Sequence, residues 1–331
     1  MATANHTDTD QRPRVLLTRR IPSSVQSKLE AAVQLEVYDG PVPLTPEQLS
    51  QRLQGKHGLV SVLTDPVNAA VLNAANDLKV VSNIAVGYDN IDAAAASARG
   101  IVVTNTPDVL TEATAELTWA LILAVTRRIG EGERLVRRGG WKGWALDFML
   151  GMELRGKQLG IIGRGRIGRA VAARAPAFGM TAVFAARGAR ASGDLPEMSL
   201  DELLVTSDVI SIHTPLTAST RHMIDRRALA RMKRSAFLVN TARGPVVDEE
   251  GLAWALKERL IAGAALDVYE REPEVFAGLL DLENVVLAPH LGSATRETRT
   301  AMADLAVANN LAVLLGRPPL TPVAPPPPPA G

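Results

Sequence analysis

The segment KQLGIIGRGRIGRAVA, residues 157–172, decides the fold. Its apolar first half reads as a buried strand, and its second half has the spacing of a helix. Between them Gly163, Arg164, Gly165, Arg166, Ile167 and Gly168 spell GxGxxG. A glycine-rich corner need not bind anything. Here, however, the strand–turn–helix setting is the one in which each glycine has work to do. Gly163 permits the tight turn, Gly165 lets a pyrophosphate approach the backbone, and Gly168 lets helix pack on strand. The helix start adds free N–H groups and the positive end of a dipole. The pattern predicts a dinucleotide site.

The next strand, TAVFAA, ends at Ala186, 18 residues beyond Gly168 and followed by Arg187 and Arg190. An NAD site carries an acidic residue near this position to bind the ribose hydroxyls. Without that carboxylate a 2′-phosphate is not repelled, and a guanidinium binds it bidentately. NADPH is therefore expected in preference to NADH.

Outward from this unit the same rhythm continues in both directions. RVLLT, LEVY, GLVSVLT, LKVVSNIAV and IVVTN upstream read as strands, with helices between them such as 44–54 and 66–76. A long helix is predicted from about Glu112, capped by Thr111, with Leu117, Ala120, Leu121, Ala124 and Val125 on one face. KQLGIIG, TAVFAA, DVISIHT, AFLVNTA, AGAALDV and NVVLAPH give six further strands, and a last helix runs over about 294–315 with Met302, Leu305, Ala306, Ala312 and Val313 aligned. Strand–helix alternation of this kind predicts α/β architecture with two doubly wound parallel sheets.

Composition excludes several function classes. The 331 residues carry 36 basic and 35 acidic side chains, a net charge of +1, which argues against nucleic acid or an anionic membrane as partner. The absence of cysteine excludes disulfides, thiolate metal sites and a cysteine nucleophile. His6, His57, His213, His222 and His290 are scattered, so no metal is expected. The first residues lack the apolar core of a signal peptide, and the longest apolar run, Trp119 to Val125, is too short to span a bilayer. A cytoplasmic protein is expected. Eight of the 21 prolines fall in 318–329, so 319–331, like residues 1–11, is expected to be a disordered tail.

Three more segments place polar groups at strand ends: NTARGPVVDEEGL (240–252), ALDVYEREP (265–273) and APHLGSAT (288–295). With SNIAVGYDNID (82–92) and GIIGRGRIGRAVA, they make the chain, from about 14 to 317, resemble the D-isomer-specific 2-hydroxyacid dehydrogenases, and within these the glyoxylate/hydroxypyruvate reductases. The resemblance implies that Arg243 holds the substrate carboxylate and polarises the reacting carbonyl. It implies that His290 protonates the developing alkoxide and that Glu272 hydrogen-bonds His290. It further implies that the backbone amides of Val86 and Gly87 bind the carboxylate, with Ser293 beside the site and Leu63 forming an apolar wall. Trp144 matches a tryptophan that such reductases project from the partner subunit, while Trp141 reads as structural. Asp267 matches the residue that binds the nicotinamide carboxamide; Thr214 and Pro215, and Thr241 with Ala242, match cofactor-lining segments.

The chemistry calls for the same residue types independently. Hydride delivery to a 2-keto acid needs a cation for the carboxylate, a proton donor for the oxygen and little water. A carboxylate beside imidazole favours its protonated form and fixes its tautomer.

By the same resemblance a Rossmann NAD(P)-binding domain, residues 106–297, is inserted into a flavodoxin-like substrate domain made of 12–105 and 298–318. Catalysis would occur in the cleft between them, and the helix near 112–128 with the GGWKGW arm would form a homodimer. Alternatives within this chemistry are phosphoglycerate, D-lactate and phosphite dehydrogenases. Formate dehydrogenases of the superfamily pair the histidine with glutamine, where this chain has Glu272. A non-enzymatic alternative is a dimeric dinucleotide-sensing co-repressor, which shares the fold and a similar triad.

Overall fold

The structure is a computed structural model that describes residues 11–186 and 196–324. It divides into two compact domains, one formed by the chain up to Leu110 together with the chain from Thr295 onward, the other by Thr111–Ala294.

In the first domain β1 (Arg14–Leu17), β2 (Gln34–Val37), β3 (Gly58–Ser61), β4 (Val80–Asn83) and β5 (Val102–Thr104) form one sheet in the order β2-β1-β3-β4-β5. Every pairing is parallel. The order is that of flavodoxin-like sheets, which bind ligands outside the carboxyl ends of the strands. β3 and β4 are buried along their whole length, which is why they read as unbroken apolar runs. Alternate residues serve opposite faces. Leu16, Leu59 and Val81 meet Leu49, Val71 and Leu72 on one side. Val15, Leu17 and Val60 meet Val25, Leu29 and, from the end of the chain, Ala303, Ala306 and Val307 on the other.

Among its described residues the second domain carries seven parallel strands: β6 (Gln158–Ile162), β7 (Thr181–Ala185), β8 (Glu197–Met198), β9 (Val209–Ile212), β10 (Phe237–Asn240), β11 (Gly263–Leu266) and β12 (Val285–Leu287). Their order is β12-β11-β10-β9-β6-β7-β8, so the sheet runs both ways from β6, as in a Rossmann fold. The helix Thr111–Thr126 covers one face through Ala115, Trp119, Ile122 and Val125. Trp119 stacks on Phe178 at 4.3 Å and donates its indole N–H to the Val171 carbonyl at 3.1 Å. Among the described residues no helix is long and apolar enough to cross a membrane.

Several local details depart from the sequence expectation. Thr111 lies inside its helix rather than capping it, and Ala120, expected on the buried face, is exposed; Thr114, Thr118 and Thr126 are buried instead. Each of the last two threonines donates to a carbonyl four residues back, so polar positions join the core without an orphaned hydroxyl. The last helix, Arg296–Leu314, is capped by Thr295 and buries Asn309 and Asn310 beside its apolar residues. β8 is a two-residue strand with too little pattern to announce itself. Finally, residues 319–324 do not form part of a loose tail: Pro322 bridges to Thr104, and Val323 donates its N–H to the Val103 carbonyl at 2.8 Å.

Candidate active site

The glycine turn sits where the sheet order reverses. Gly163 follows β6 with φ +110°, a conformation that excludes ordinary side chains. A Cβ there would also meet the backbone of His213, just past β9, at 2.4 Å. At Gly168 a Cβ would collide with the Gly163 carbonyl. These two glycines are small because protein backbone occupies the space. Gly165 is different: a Cβ there meets no protein atom within 4 Å. It caps the helix Arg166–Arg174 in extended conformation, leaving clear space before a helix N-terminus. The turn thus fits a dinucleotide pyrophosphate, with the first-turn N–H groups of the helix as donors.

Arg164, inside the turn, pairs with Glu197 and lies over the Phe184 ring, with 5.9 Å between guanidinium carbon and ring centroid. His213, whose backbone abuts Gly163, bonds Ser211 through Nε2 at 2.8 Å. Burial pushes the His213 imidazole down to about 3, so it stays neutral. Thr214 is buried and Pro215 exposed. Ala186 closes β7 with its N–H on the Met198 carbonyl at 2.8 Å. Arg187 and Arg190 lie outside the described residues.

The charged residues follow the adjacent strands β10, β11 and β12. Arg243 leaves β10 through a turn built by the buried Asn240, whose amide donates to the Arg243 carbonyl at 2.9 Å and whose oxygen accepts the Ala242 N–H at 3.0 Å. The Arg243 guanidinium bonds the Ala242 carbonyl at 2.8 Å. Thr241 is fixed by Thr118 at 3.0 Å, hydroxyl to hydroxyl. Next, Gly244 lies so close to Tyr269 that a Cβ would stand 1.9 Å from its carbonyl carbon. This backbone contact brings Arg243 near the loop that carries Glu272.

His290 follows β12 with φ +53°, and its Nδ1 lies 2.8 Å from Glu272 Oε2. The other Glu272 oxygen accepts the Tyr269 N–H at 3.1 Å. Burial pushes the Glu272 carboxyl up, but the His290 hydrogen bond and charge, the Tyr269 N–H and Arg243 outweigh it. Its net shift is downward, and it serves as an anion. Asp267, after β11, is 1% exposed and accepts the N–H groups of Leu291 at 2.6 Å and Gly292 at 2.8 Å. It therefore ties down the turn that presents His290. Thr114 bonds the Gly292 carbonyl at 3.1 Å, and half-buried Ser293 comes next.

One residue of this site carries no sequence signal. Glu249, buried at the start of the helix Glu249–Lys257, accepts the Glu270 N–H at 2.7 Å and also bonds the Phe276 amide. It clamps the loop on both sides of Glu272. Burial raises its own carboxyl above the ordinary value, with help from the charges of Glu270 and Glu272.

The remaining expected residues are carried by other segments of the chain. In the first domain Val86 and Gly87 follow β4, and neither N–H donates to another protein group among the described residues. Leu63 follows β3 and is 36% exposed. Its loop is pinned by buried Asp65, which accepts from the Thr18 hydroxyl and from the Val62 N–H at 2.8 Å. In the second domain Trp144 is 80% exposed on an arm with Trp141, Leu146 and Leu150, all strongly exposed. Among the described residues no group of three or more histidines or carboxylates is placed to hold a metal ion.

Residues 119–292 match the family model of the D-isomer specific 2-hydroxyacid dehydrogenase NAD binding domain. The chain is also 48% identical over 311 residues to a glyoxylate reductase of Korarchaeum cryptofilum, covering 92% of this chain and 94% of that one. It belongs to the D-isomer-specific 2-hydroxyacid dehydrogenases. Among solved structures of similar fold, a protein of Thermus thermophilus matches with a TM-score of 0.89 and 48% identity, over 94% of this chain and 100% of the other. An NADPH-dependent glyoxylate/hydroxypyruvate reductase of Sinorhizobium meliloti, solved with NADP and malonate, matches with a TM-score of 0.85 and 36% identity over 95% and 97%. In this family member, then, the Rossmann domain interrupts the flavodoxin-like one between Leu110 and Thr295.

Proposed function

We propose that this protein reduces small 2-keto acids, glyoxylate to glycolate and hydroxypyruvate to D-glycerate, with NADPH preferred to NADH. The observation that carries the reading is the 2.8 Å contact between His290 Nδ1 and an ionised Glu272, within the electrostatic reach of Arg243. Bound nicotinamide supplies the hydride. The chain's own residues do the rest. Glu272 accepts a hydrogen bond from Nδ1–H, which orients the ring so that Nε2–H of His290 gives its proton to the carbonyl oxygen as it gains charge. Arg243 draws electron density toward that oxygen and pairs with the carboxylate. The N–H groups of Val86 and Gly87 bind the carboxylate, Leu63 forms an apolar wall, Ser293 lies beside the site, and Asp267 is the partner for the carboxamide.

The cofactor preference is supported by Ala186 at the end of β7, near the position where an NAD site carries a carboxylate. Glu197, which pairs in register with Phe184 on β7, is engaged by Arg164 and so is neutralised locally. Arg187 and Arg190 are the proposed phosphate ligands. The exposed arm around Trp144 favours a homodimer, since contiguous apolar surface of this kind marks an interface.

A kinetic panel tests the reading: NADPH and NADH against glyoxylate, hydroxypyruvate, pyruvate and phosphohydroxypyruvate, and NADP+ and NAD+ against phosphite. Glyoxylate and hydroxypyruvate with NADPH are expected to give the highest kcat/KM. No turnover of any 2-keto acid with either cofactor would end it.

A further inference from the structure

We infer that Asn105 aims the carboxylate-binding amides of the first domain, and that the chain segment Leu320–Val323 holds Asn105 in place. The inference rests on the role proposed above for Val86 and Gly87.

Three consecutive carbonyls after β4 are each anchored by a hydrogen bond, two from residues after β5 and one from Asn83 of β4 itself. The Ala85 carbonyl accepts the Thr106 N–H at 2.9 Å. The Val86 carbonyl accepts the Asn105 side-chain amide at 2.7 Å, and the Gly87 carbonyl accepts the Asn83 side-chain amide at 3.0 Å. In a trans peptide the N–H points opposite to the C=O. Fixing the Ala85 carbonyl therefore directs the Val86 N–H away from its anchor, and fixing the Val86 carbonyl does the same for the Gly87 N–H. Neither N–H has another partner among the described residues. Unpaired neighbouring amides held in this manner are donors kept for an anion.

The second link runs from Asn105 to the end of the described chain. Asn105 donates its N–H to the Thr321 carbonyl at 3.3 Å and accepts the Thr321 hydroxyl at 2.6 Å. Thr321 is itself gripped by buried Asn309: the Asn309 oxygen accepts the N–H groups of Leu320 and Thr321 at 2.8 and 2.9 Å, and its amide donates to Thr321 Oγ1 at 2.8 Å. Pro322 and Val323 then lie along β5. Asn309, Thr321, Asn105 and Val86 make one continuous series of neutral hydrogen bonds. Asn105 and Thr321 are thus positioning residues for the amides, and the segment before the proline run acts as a strap across the edge of the sheet.

The test uses the full chain and the variants Asn105→Ala, Thr321→Val and Thr321→Ser. It measures KM for glyoxylate, kcat, KM for NADPH, and calorimetric binding of malonate as a carboxylate probe. Loss of one aimed donor in Asn105→Ala is expected to raise KM for glyoxylate and the malonate Kd together by about tenfold. kcat and KM for NADPH should stay within about twofold. Thr321→Val should move the same two quantities in the same direction by about threefold, and Thr321→Ser, which keeps the hydroxyl, should restore them. Unchanged malonate affinity in both Asn105→Ala and Thr321→Val overturns the inference, as does an equal loss of kcat and NADPH affinity, which would mark general loosening. So does a wild-type protein that binds no malonate. If wild type binds malonate with the expected variant pattern yet reduces no 2-keto acid, the proposed function falls and the strap stands.

Discussion

Under the proposed function the two domains prepare for chemistry by opposite means. In the second, charged side chains converge: Glu272 is ionised against His290 with Arg243 near, and Asp267 and Glu249 pin the two loops that carry the pair. In the first, the proposed carboxylate cradle is backbone, and its supports are neutral amides and a hydroxyl. The difference follows from the task. A proton can be moved only by a titratable group held at a defined distance, whereas a carboxylate can be held by N–H dipoles that cost no ionisation. Glu272, Asp267 and Glu249 are each desolvated and each partnered, so that region is coupled to pH. The neutral cradle is not.

Variants of the charged centre should have the largest effects. His290→Ala is expected to lower kcat roughly 10³-fold with KM for NADPH little changed, which steady-state kinetics would show. Arg243→Ala should cost roughly 10²–10³ in kcat/KM for the keto acid, more than any cradle variant. Were Asn105→Ala to match either loss, the contrast between the domains would fail.

The glycine turn sharpens the contrast at an intermediate scale. Gly165→Ala places a methyl group in clear space and should raise KM for NADPH about tenfold or more while leaving Tm unchanged. Gly163→Ala meets backbone at 2.4 Å with φ +110°, and should instead lower Tm and the yield of folded protein.

The smallest expected effect is on pH and stability. His213 is held neutral down to about pH 3, while in the unfolded chain it takes a proton near 6.5. The unfolded state then binds more protons across that window, so stability falls as pH drops below about 6.5. Glu272, with its carboxyl lowered, adds stability above its ordinary value near 4.5 that is lost as pH falls through the lowered one. Tm measured from pH 7 to 4 should decline, and His213→Gln should flatten the upper part of that decline. A wild-type Tm constant over this range would show that the charged domain is not the pH-sensitive one.

What was legible in the sequence follows the same division. The parallel sheets were legible because strands buried on both faces, such as β3 and β4, are continuous apolar runs. The glycine turn was legible because its spacing is imposed by backbone clashes at Gly163 and Gly168. Arg243, Glu272 and His290 stood out as polar groups in strand-end segments with a family likeness. Asn83, Asn105, Asn309 and Thr321 did not, because neutral polar residues are common at turns for reasons of local geometry. Only the hydrogen-bond partners across distant parts of the chain separate a positioning amide from an ordinary one. Glu249 was missed for a related reason: as an acidic residue in a helix's first turn it looks like routine dipole pairing.

The interrupted order of the first domain also sets a timetable for its synthesis. Val15, Leu17 and Val60 are covered partly by Ala303, Ala306 and Val307, and Asn310 bonds the Leu59 carbonyl at 3.1 Å. A ribosome makes β1–β5 early but completes this covering helix only after the whole of Thr111–Ala294. At ordinary elongation rates one sheet face waits roughly 10–40 s with its apolar side chains uncovered. The inserted domain has every strand it needs before that wait is over. A chain arrested before Thr295 should therefore yield a protease-resistant core from the second domain while the first is still digested, and helper proteins in the cell should bind the earlier-made half.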